Sequence, residues 1–187
     1  IKRLSYGSTE DDEIEVIKII DRILDEHSTE RGLILTSSIP RCQKILRYLS
    51  PKNTRRIRIC HSKNKDDKTQ DEVITEHASD PTGVLLSSSL WEGVDLKDDL
   101  SRFQIIAKVP YPNYTEKRTK AKMAKFPLWY TSQTLTKLLQ GFGRSIRSED
   151  DWAKTYVLDT AANNVFFKAQ QMIPKAYHDV LGMDELS

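Results

Sequence analysis

The chain has 187 residues, a formal net charge of +2 and 30% charged residues. Its length suits one domain with a substantial core, and its small net charge excludes a basic surface that extends over the whole molecule. The cysteines Cys42 and Cys60 form no Cys-x-x-Cys pair, so we expect buried thiols rather than a disulfide or a metal site.

Helix-like and strand-like segments alternate along the chain. Apolar residues at helical spacing predict helices over residues 10–27, 40–49, 69–79, 115–125, 130–147 and 161–173. Short apolar or alternating runs predict strands over residues 33–36, 56–60, 84–86, 103–109 and 155–158. This alternation is typical of a parallel sheet covered by helices on both faces, and we expect a single domain over residues 1–187.

The eight residues that begin at Gln140, with the sequence QGFGRSIR, combine a carboxamide with two guanidinium groups. On a helix, Gln140, Arg144 and Arg147 would project from one face, and guanidinium groups suit phosphate oxygens. Gly141 and Gly143 would each cost about 1 kcal/mol relative to alanine in an ordinary surface helix. From these residues alone, a phosphate site and a basic surface helix remain equally open.

Polar residues follow several of the predicted strands. Thr36 and Ser37 end the first strand, Ser88 follows the third and Tyr111 follows the fourth. Ligands of open parallel sheets bind beyond the carboxyl ends of the strands, where hydroxyls and exposed amides can hold phosphates. The first of these segments could also cap the next helix, because serine and threonine are favoured caps.

The segment Trp91-Glu92-Gly93-Val94-Asp95 comes soon after the third strand. Gly93 allows a close backbone approach, and the carboxylates of Glu92 and Asp95 could orient arginines, ribose hydroxyls or metal-bound water. The alternative is a turn with two solvated acids. We expect Trp91 itself to be a core side chain.

Four segments in this order resemble the C-terminal motor domain of superfamily 2 DNA helicases of the XPD/DinG type. They are the strand ending in Thr-Ser at 32–38, the W-E-G-x-D element at 91–95, the V-P-Y-P element at 109–112 and the Q-x-x-G-R-x-I-R element at 140–147. The resemblance implies an α/β, RecA-like, three-layer fold with a mostly parallel central sheet. It also implies an ATP-dependent DNA helicase of the DNA-repair type that moves 5′ to 3′.

The resemblance assigns roles to individual residues. It implies that the catalytic residues, which would close on the terminal phosphates, are Gln140, Arg144 and Arg147. It implies that four residues bind the nucleotide and couple this binding to DNA: Glu92, Gly93, Asp95 and Gly143. It implies that the residues in contact with DNA are Thr36, Ser37, Ser88, Lys108 and Tyr111. Asp159 resembles the acid of the family's D-x-R element, but Thr160 and Ala161 stand where basic residues often occur, so contacts by those two are in doubt.

No G-x-x-x-x-G-K-[ST] phosphate loop occurs in the chain. By resemblance, ATP and Mg²⁺ would bind mainly to a first motor domain of the same protein, and an iron–sulfur cluster could belong only to that part. We therefore expect a fragment of a larger helicase that is inactive alone and has no metal site of its own. Its expected partners are single-stranded DNA, the N-terminal motor domain, and a repair or transcription assembly.

The sequence also indicates a location inside the cell. No apolar run approaches the ~20 residues of a membrane helix, and the opening Ile1-Lys2-Arg3 is unlike a secretory signal. We expect no membrane partner, and a cytoplasmic or nuclear location according to the type of cell.

Two alternatives remain open. A basic run after Tyr114 could line a single-strand channel or form a solvated helix face; it consists of Lys117, Arg118, Lys120, Lys122 and Lys125. The whole chain could be a standalone nucleic-acid-binding or protein-binding module with a degenerate helicase fold. A phosphate loop upstream of Ile1 would favour the motor over the module.

Overall fold

A five-stranded, entirely parallel sheet forms the centre of the computed structural model, which describes residues 9–61, 68–94, 96, 98–145, 151–178 and 181. The strands lie in the order β2-β3-β1-β4-β5. Their bounds are β1 Gly32–Leu35, β2 Ile57–Ile59, β3 Val84–Ser87, β4 Phe103–Ile106 and β5 Lys154–Val157. The predicted parallel α/β sheet is confirmed.

Helices lie between most successive strands, whereas the described residues that connect β3 to β4 contain only a 3-10 turn at Asp98–Leu100. The bounds of the helices are α1 Glu10–Glu26, α2 Ile39–Tyr48, α3 Pro51–Thr54, α4 Gln70–Ser79, α5 Lys117–Lys125, α6 Trp129–Phe142 and α7 Ala161–Lys168. Thr9 caps α1: its hydroxyl accepts from the Asp12 N–H, and the Asp12 carboxylate accepts from the Thr9 N–H.

The sheet separates two hydrophobic cores. On one face, Ile20 and Leu24 of α1 pack with Ile34 of β1. On the other face, Leu35 of β1 packs with residues of α4, α6 and α7, including Leu138. Because successive residues of a strand point to opposite faces, β1, β3 and β4 are buried along their whole length. This explains their uninterrupted apolar sequences.

Three predicted boundaries are wrong. The predicted helix 161–173 ends at Lys168. The predicted helix 130–147 ends at Phe142, and the Gly143 N–H donates to the Leu139 carbonyl as a cap. Arg144 therefore lies beyond the helix, and the predicted helical face with Gln140 does not form. The predicted strand 103–109 ends at Ile106, since the Val109 N–H donates to the Asp159 carboxylate instead of continuing the ladder.

A buried arginine closes the carboxyl end of α1. The Arg56 guanidinium donates to the Leu24, His27 and Glu30 carbonyls at 2.6, 2.8 and 3.1 Å, and to the Thr82 carbonyl at 2.9 Å. The last turn of α1 contains no basic residue, so this distant side chain satisfies acceptors that a helix end leaves unpaired. Burial lowers the pKa of Arg56.

Both cysteines are free and buried, as predicted. Burial raises the pKa of the Cys42 thiol to about 12 and that of the Cys60 thiol to about 11. Both thiols therefore remain protonated and unreactive near neutral pH.

Among the described residues, no group of three or more histidine, cysteine or acidic side chains could hold a metal ion. Within the same residues, no helix has the length and apolar character needed to cross a membrane.

Candidate nucleotide and nucleic-acid site

The turn after β3 is organised by a buried serine. The Ser87 hydroxyl donates to the Cys60 carbonyl and accepts from the Ser89 and Leu90 N–H groups at 3.0 and 3.1 Å. This turn leaves Ser88 half-buried at the carboxyl end of the sheet and leads the chain to Trp91. Ser87 is not among the predicted site residues, although it directly follows a predicted strand.

The Trp91 indole joins three of the motif-bearing segments. Its ring is buried as predicted, and its Nε1–H donates to the Thr36 carbonyl at 3.0 Å. On α6, Gly141 lies directly against the ring, where an added Cβ would come 2.9 Å from a ring carbon. The end of β1, the segment after β3 and the end of α6 therefore share one contact point.

Arg144 contacts the segment that contains Glu92 and Gly93. Its Nη1 donates to the Val94 carbonyl at 2.6 Å and its Nε donates to the Gln140 carbonyl at 3.1 Å. The Leu96 N–H donates to the Arg144 carbonyl at 3.2 Å, so the two chain segments run side by side. Arg144 is half-buried, and its guanidinium is thus fixed next to a turn in which Glu92 and Gly93 are exposed.

Other members of the predicted nucleotide set lie around this contact. The Gln140, Glu92 and Gly93 residues are exposed, and Gly143 is half-buried. Asp95 and Arg147 lie outside the described residues.

The two glycines of the site differ from Gly141 in what they require. Gly93 has φ of +81°, so its backbone conformation calls for glycine. No atom of the described residues lies within 4 Å of an added Cβ at this position. An added Cβ on Gly143 would meet only carbonyl oxygens at 3.7 and 3.8 Å. The packing of the described residues therefore leaves room for a side chain at Gly143.

Lys108 forms an ion pair with a buried acid. Its Nζ lies 2.6 Å from the Asp159 carboxylate, and the two side chains are 13% and 0% exposed. The same carboxylate accepts from the Val109 and Ala161 N–H groups at 3.2 and 3.0 Å. Asp159 thus joins the exits of β4 and β5, and any phosphate contact by Lys108 would compete with it. The family resemblance indicated Asp159 but not its pairing with Lys108.

Tyr111 is held in place by a second tyrosine. The Tyr111 and Tyr130 rings stack with centroids 5.5 Å apart and an interplanar angle of 11°. The Tyr130 hydroxyl donates to the Pro112 carbonyl at 3.1 Å, and the Tyr111 hydroxyl donates to the Ala161 carbonyl at 3.4 Å. Burial raises the pKa of the Tyr130 hydroxyl. The loop after β4 is therefore tied to the beginning of α6.

The hydroxyls after β1 differ in exposure. Thr36 is 1% exposed, and its Oγ1 has no hydrogen-bond partner among the described residues. It lines a cavity of about 20 Å³ between α1 and α2, enough for one water molecule but not for a polymer backbone. Ser37 is exposed, and Ser38 occupies the cap position of α2 without a side-chain cap hydrogen bond. Ser37 and Ser88 are thus the accessible hydroxyls of the predicted set.

Comparisons with known proteins agree with this arrangement. The family model of the helicase C-terminal domain matches residues 20–179. The Probable ATP-dependent helicase YpvA of Bacillus subtilis (strain 168) is 26% identical over 117 residues, which is 60% of this chain and 18% of that protein. The chain thus spans less than a fifth of this relative.

Solved structures show the same fold. An XPD helicase structure matches 91% of this chain and 32% of its own, with a TM-score of 0.68 and 16% identity. S. cerevisiae Dbp5 bound to RNA and ADP BeF3 matches 91% of this chain and 37% of its own, with a TM-score of 0.59 and 13% identity. These likenesses confirm the RecA-like fold. The family match over residues 20–179 shows that the chain belongs to the helicase C-terminal domain family.

Proposed function

We propose that this chain is the second motor domain of an ATP-dependent DNA helicase, in which Arg144 acts as an arginine finger. The observation that carries this proposal is the contact of Arg144 with the Val94 carbonyl, at 2.6 Å. It brings together the two motif segments that the resemblance assigns to nucleotide binding. The relative from B. subtilis carries the name of an ATP-dependent helicase, which supports the same assignment.

The residues present fit one side of a nucleotide site. Arg144, Gln140 and the exposed turn at Gly93 offer charge, a carboxamide and backbone groups, but none of the seven glycines is followed by a lysine that could complete a phosphate loop. A first motor domain would supply that loop and the ligands of Mg²⁺, and we expect no ATP hydrolysis by this chain alone. Two buried thiols do not suit the four-cysteine ligand set of an iron–sulfur cluster.

In the proposed mechanism, Arg144 acts by charge and position. ATP with Mg²⁺ supplies the phosphoryl group and the energy. The guanidinium stabilises the negative charge that develops on the transferred group, which is the usual role of an arginine finger. The Val94 and Gln140 carbonyls hold the guanidinium in one orientation, so little ordering is needed when the two domains close. Arg147 would assist from the same segment.

The DNA contacts would lie at the carboxyl end of the sheet. Ser37 and Ser88 would donate hydroxyl hydrogen bonds to phosphates, and the ammonium of Lys108 would supply charge. Tyr111 would offer a ring for stacking. The α6 helix contains Tyr130, which stacks on Tyr111, and it ends two residues before Arg144. This rigid helix would therefore couple movement of the DNA strand to closure of the two domains. The 5′-to-3′ direction and a role in DNA repair belong to the same proposal.

The test compares single-stranded-DNA-stimulated ATP hydrolysis by the intact gene product with that of its Arg144→Ala variant. We expect a loss of about 10³-fold or more in kcat, with DNA affinity largely retained. Arg55→Ala removes an exposed guanidinium elsewhere and is the matched control. An Arg144→Ala protein with normal hydrolysis would contradict the assignment. Absence of hydrolysis in the parent would support the standalone binding module instead.

A further inference from the structure

The α5 helix carries an unusual concentration of positive charge. Five of its nine residues are basic, none is acidic, and only Thr119 is buried. The basic residues are Lys117, Arg118, Lys120, Lys122 and Lys125. A net charge of +2 for the whole chain therefore conceals a local excess.

Ion pairs between described residues lie elsewhere in the molecule. For example, Lys44 pairs with Glu13, Lys52 with Asp25 and Lys68 with Glu76. In the part of the chain that the structure describes, none of the five basic side chains of α5 takes part in an ion pair. Their charge is available to an anionic partner.

Aromatic rings lie close to three of these cations. The Lys120 Nζ lies 5.5 Å from the centroid of the Tyr114 ring, the Lys122 Nζ lies 4.8 Å from that of Trp129, and the Lys125 Nζ lies 5.5 Å from that of Phe126. Tyr114 and Phe126 are 59% and 53% exposed. At exposed sites such cation–π contacts are weak, so a phosphate can draw the ammonium away and uncover the ring.

This surface adjoins the predicted DNA contacts. Trp129 is the first residue of α6 and precedes Tyr130, whose ring stacks on Tyr111. Tyr114 follows Tyr111 in the same loop. A strand that contacts Tyr111 could therefore continue over α5.

We propose that the α5 surface, made of the five basic residues with Tyr114, Phe126 and Trp129, binds single-stranded nucleic acid. Phosphates would contact the cations and unpaired bases would stack on the rings. Exposed rings favour a single strand over a duplex, whose bases are already stacked, and over an acidic protein, which would use the charge but not the rings. The choice of DNA as the strand rests on the proposed motor function.

The first experiment measures binding of labelled oligo(dT) to the full gene product by fluorescence anisotropy, without nucleotide and over a range of salt concentrations. The patch variant is Lys117→Ala/Lys120→Ala/Lys125→Ala. The control variant is Lys18→Ala/Lys168→Ala/Lys175→Ala, which removes the same charge from exposed positions elsewhere. The logarithm of the binding constant falls as the logarithm of the salt concentration rises. We expect the patch variant to make this slope shallower by about 2, since each of the three lost phosphate contacts contributes about 0.7 for single strands. The control should keep the parental slope.

The second experiment separates stacking from charge. Tyr114→Ala and Phe126→Ala leave the net charge unchanged, and each should weaken oligo(dT) binding by roughly tenfold, with little effect on a duplex of the same length. Equal losses in the patch and control variants would overturn the proposal. So would unchanged affinity in the patch variant, which would point to an acidic protein partner, or equal losses for duplex and single strand in the ring variants.

The two proposals can fail separately. DNA-stimulated ATP hydrolysis by the parent and its loss in Arg144→Ala report on the motor. Oligo(dT) affinity of the α5 variants reports on the α5 surface. If the parent protein does not hydrolyse ATP but the patch variant binds oligo(dT) poorly, the proposal for the α5 surface stands and the proposal for the motor fails.

Discussion

The Trp91 ring packs against the backbone of Gly141, with 2.9 Å between a ring carbon and the position of an added Cβ. The same indole donates to the Thr36 carbonyl. Only glycine permits α6 to approach this closely, and the approach places the following Arg144 beside the Val94 carbonyl. A core contact thus determines where the proposed arginine finger lies.

Gly141→Ala should destabilise the protein although alanine is the better helix former. The added methyl group would meet the Trp91 ring, and overpacking of this kind costs about 1–3 kcal/mol, against a gain of up to about 1 kcal/mol in helix propensity. We expect a net loss of about 1–2 kcal/mol in the free energy of unfolding, measured by urea denaturation.

Gly143→Ala is the matched control for that experiment. Its Cβ would make only ordinary contacts, so the free energy of unfolding should change by less than about 0.5 kcal/mol. A stable Gly143→Ala protein with impaired ATP hydrolysis would support the predicted place of Gly143 at the nucleotide. Equal stability of the two alanine variants would contradict the packing argument.

Arg56→Leu should destabilise the fold strongly. The substitution removes the donor from the Leu24, His27 and Glu30 carbonyls, and unsatisfied buried acceptors cost about 1–3 kcal/mol each when water cannot replace the donor. We expect a loss of about 3 kcal/mol in the free energy of unfolding. Arg55→Leu changes an exposed neighbour and should have little effect, so similar losses in both variants would argue against the role of Arg56.

Asp159→Ala should also be destabilising. It leaves the Val109 and Ala161 N–H groups without their acceptor and removes the partner of the Lys108 ammonium. Breaking a buried ion pair from one side costs about 3–5 kcal/mol, and the 13% exposure of Lys108 places the expected loss at the lower end. Denaturation of Asp159→Ala and of Asp159→Ala/Lys108→Met provides the check. The double variant should recover part of the loss because no charge remains buried.

His77 should make stability depend on pH. Burial lowers the pKa of its imidazole below the ordinary value of 6.5, and its Nε2 donates to the Leu100 carbonyl at 2.8 Å. Above pH 6.5 the ring is neutral in both states. As pH falls below 6.5, His77 becomes protonated in the unfolded chain but stays neutral in the folded chain. The free energy of unfolding therefore decreases with falling pH until the pH is below the lowered pKa of His77 in the folded chain, where both states are protonated.

The slope from one such histidine is at most about 1.4 kcal/mol per pH unit. His77→Gln should reduce this slope in urea denaturation between pH 7 and the acid limit of folding, whatever its effect at neutral pH. The pKa of His61 is also lowered by burial, so part of the slope should remain. An unchanged slope in His77→Gln would show that His77 is not the titrating group.

Local patterns in the sequence were sufficient to predict the strands of the sheet and most of the helices. Continuous apolar runs such as Val84–Leu86 read correctly as buried parallel strands, because strands covered on both faces need no polar alternation. Apolar residues at helical spacing likewise predicted the helix over residues 10–27, which matches α1. The order of four motifs indicated the family, which the family match confirms.

Long-range contacts decided the rest. The end of α6 at Phe142 follows from the Gly143 cap and from the hydrogen bonds of Arg144 with Val94 and Leu96. These partners lie about fifty residues away, so helical periodicity cannot reveal them. The Lys108–Asp159 ion pair and the carbonyl contacts of Arg56 likewise join segments that are adjacent only in the folded chain. The sequence by itself determined which elements form and which chemical groups the chain carries. Only the tertiary structure decided which of those groups meet and which are exposed, since hydrogen bonds and burial depend on neighbours that the fold supplies.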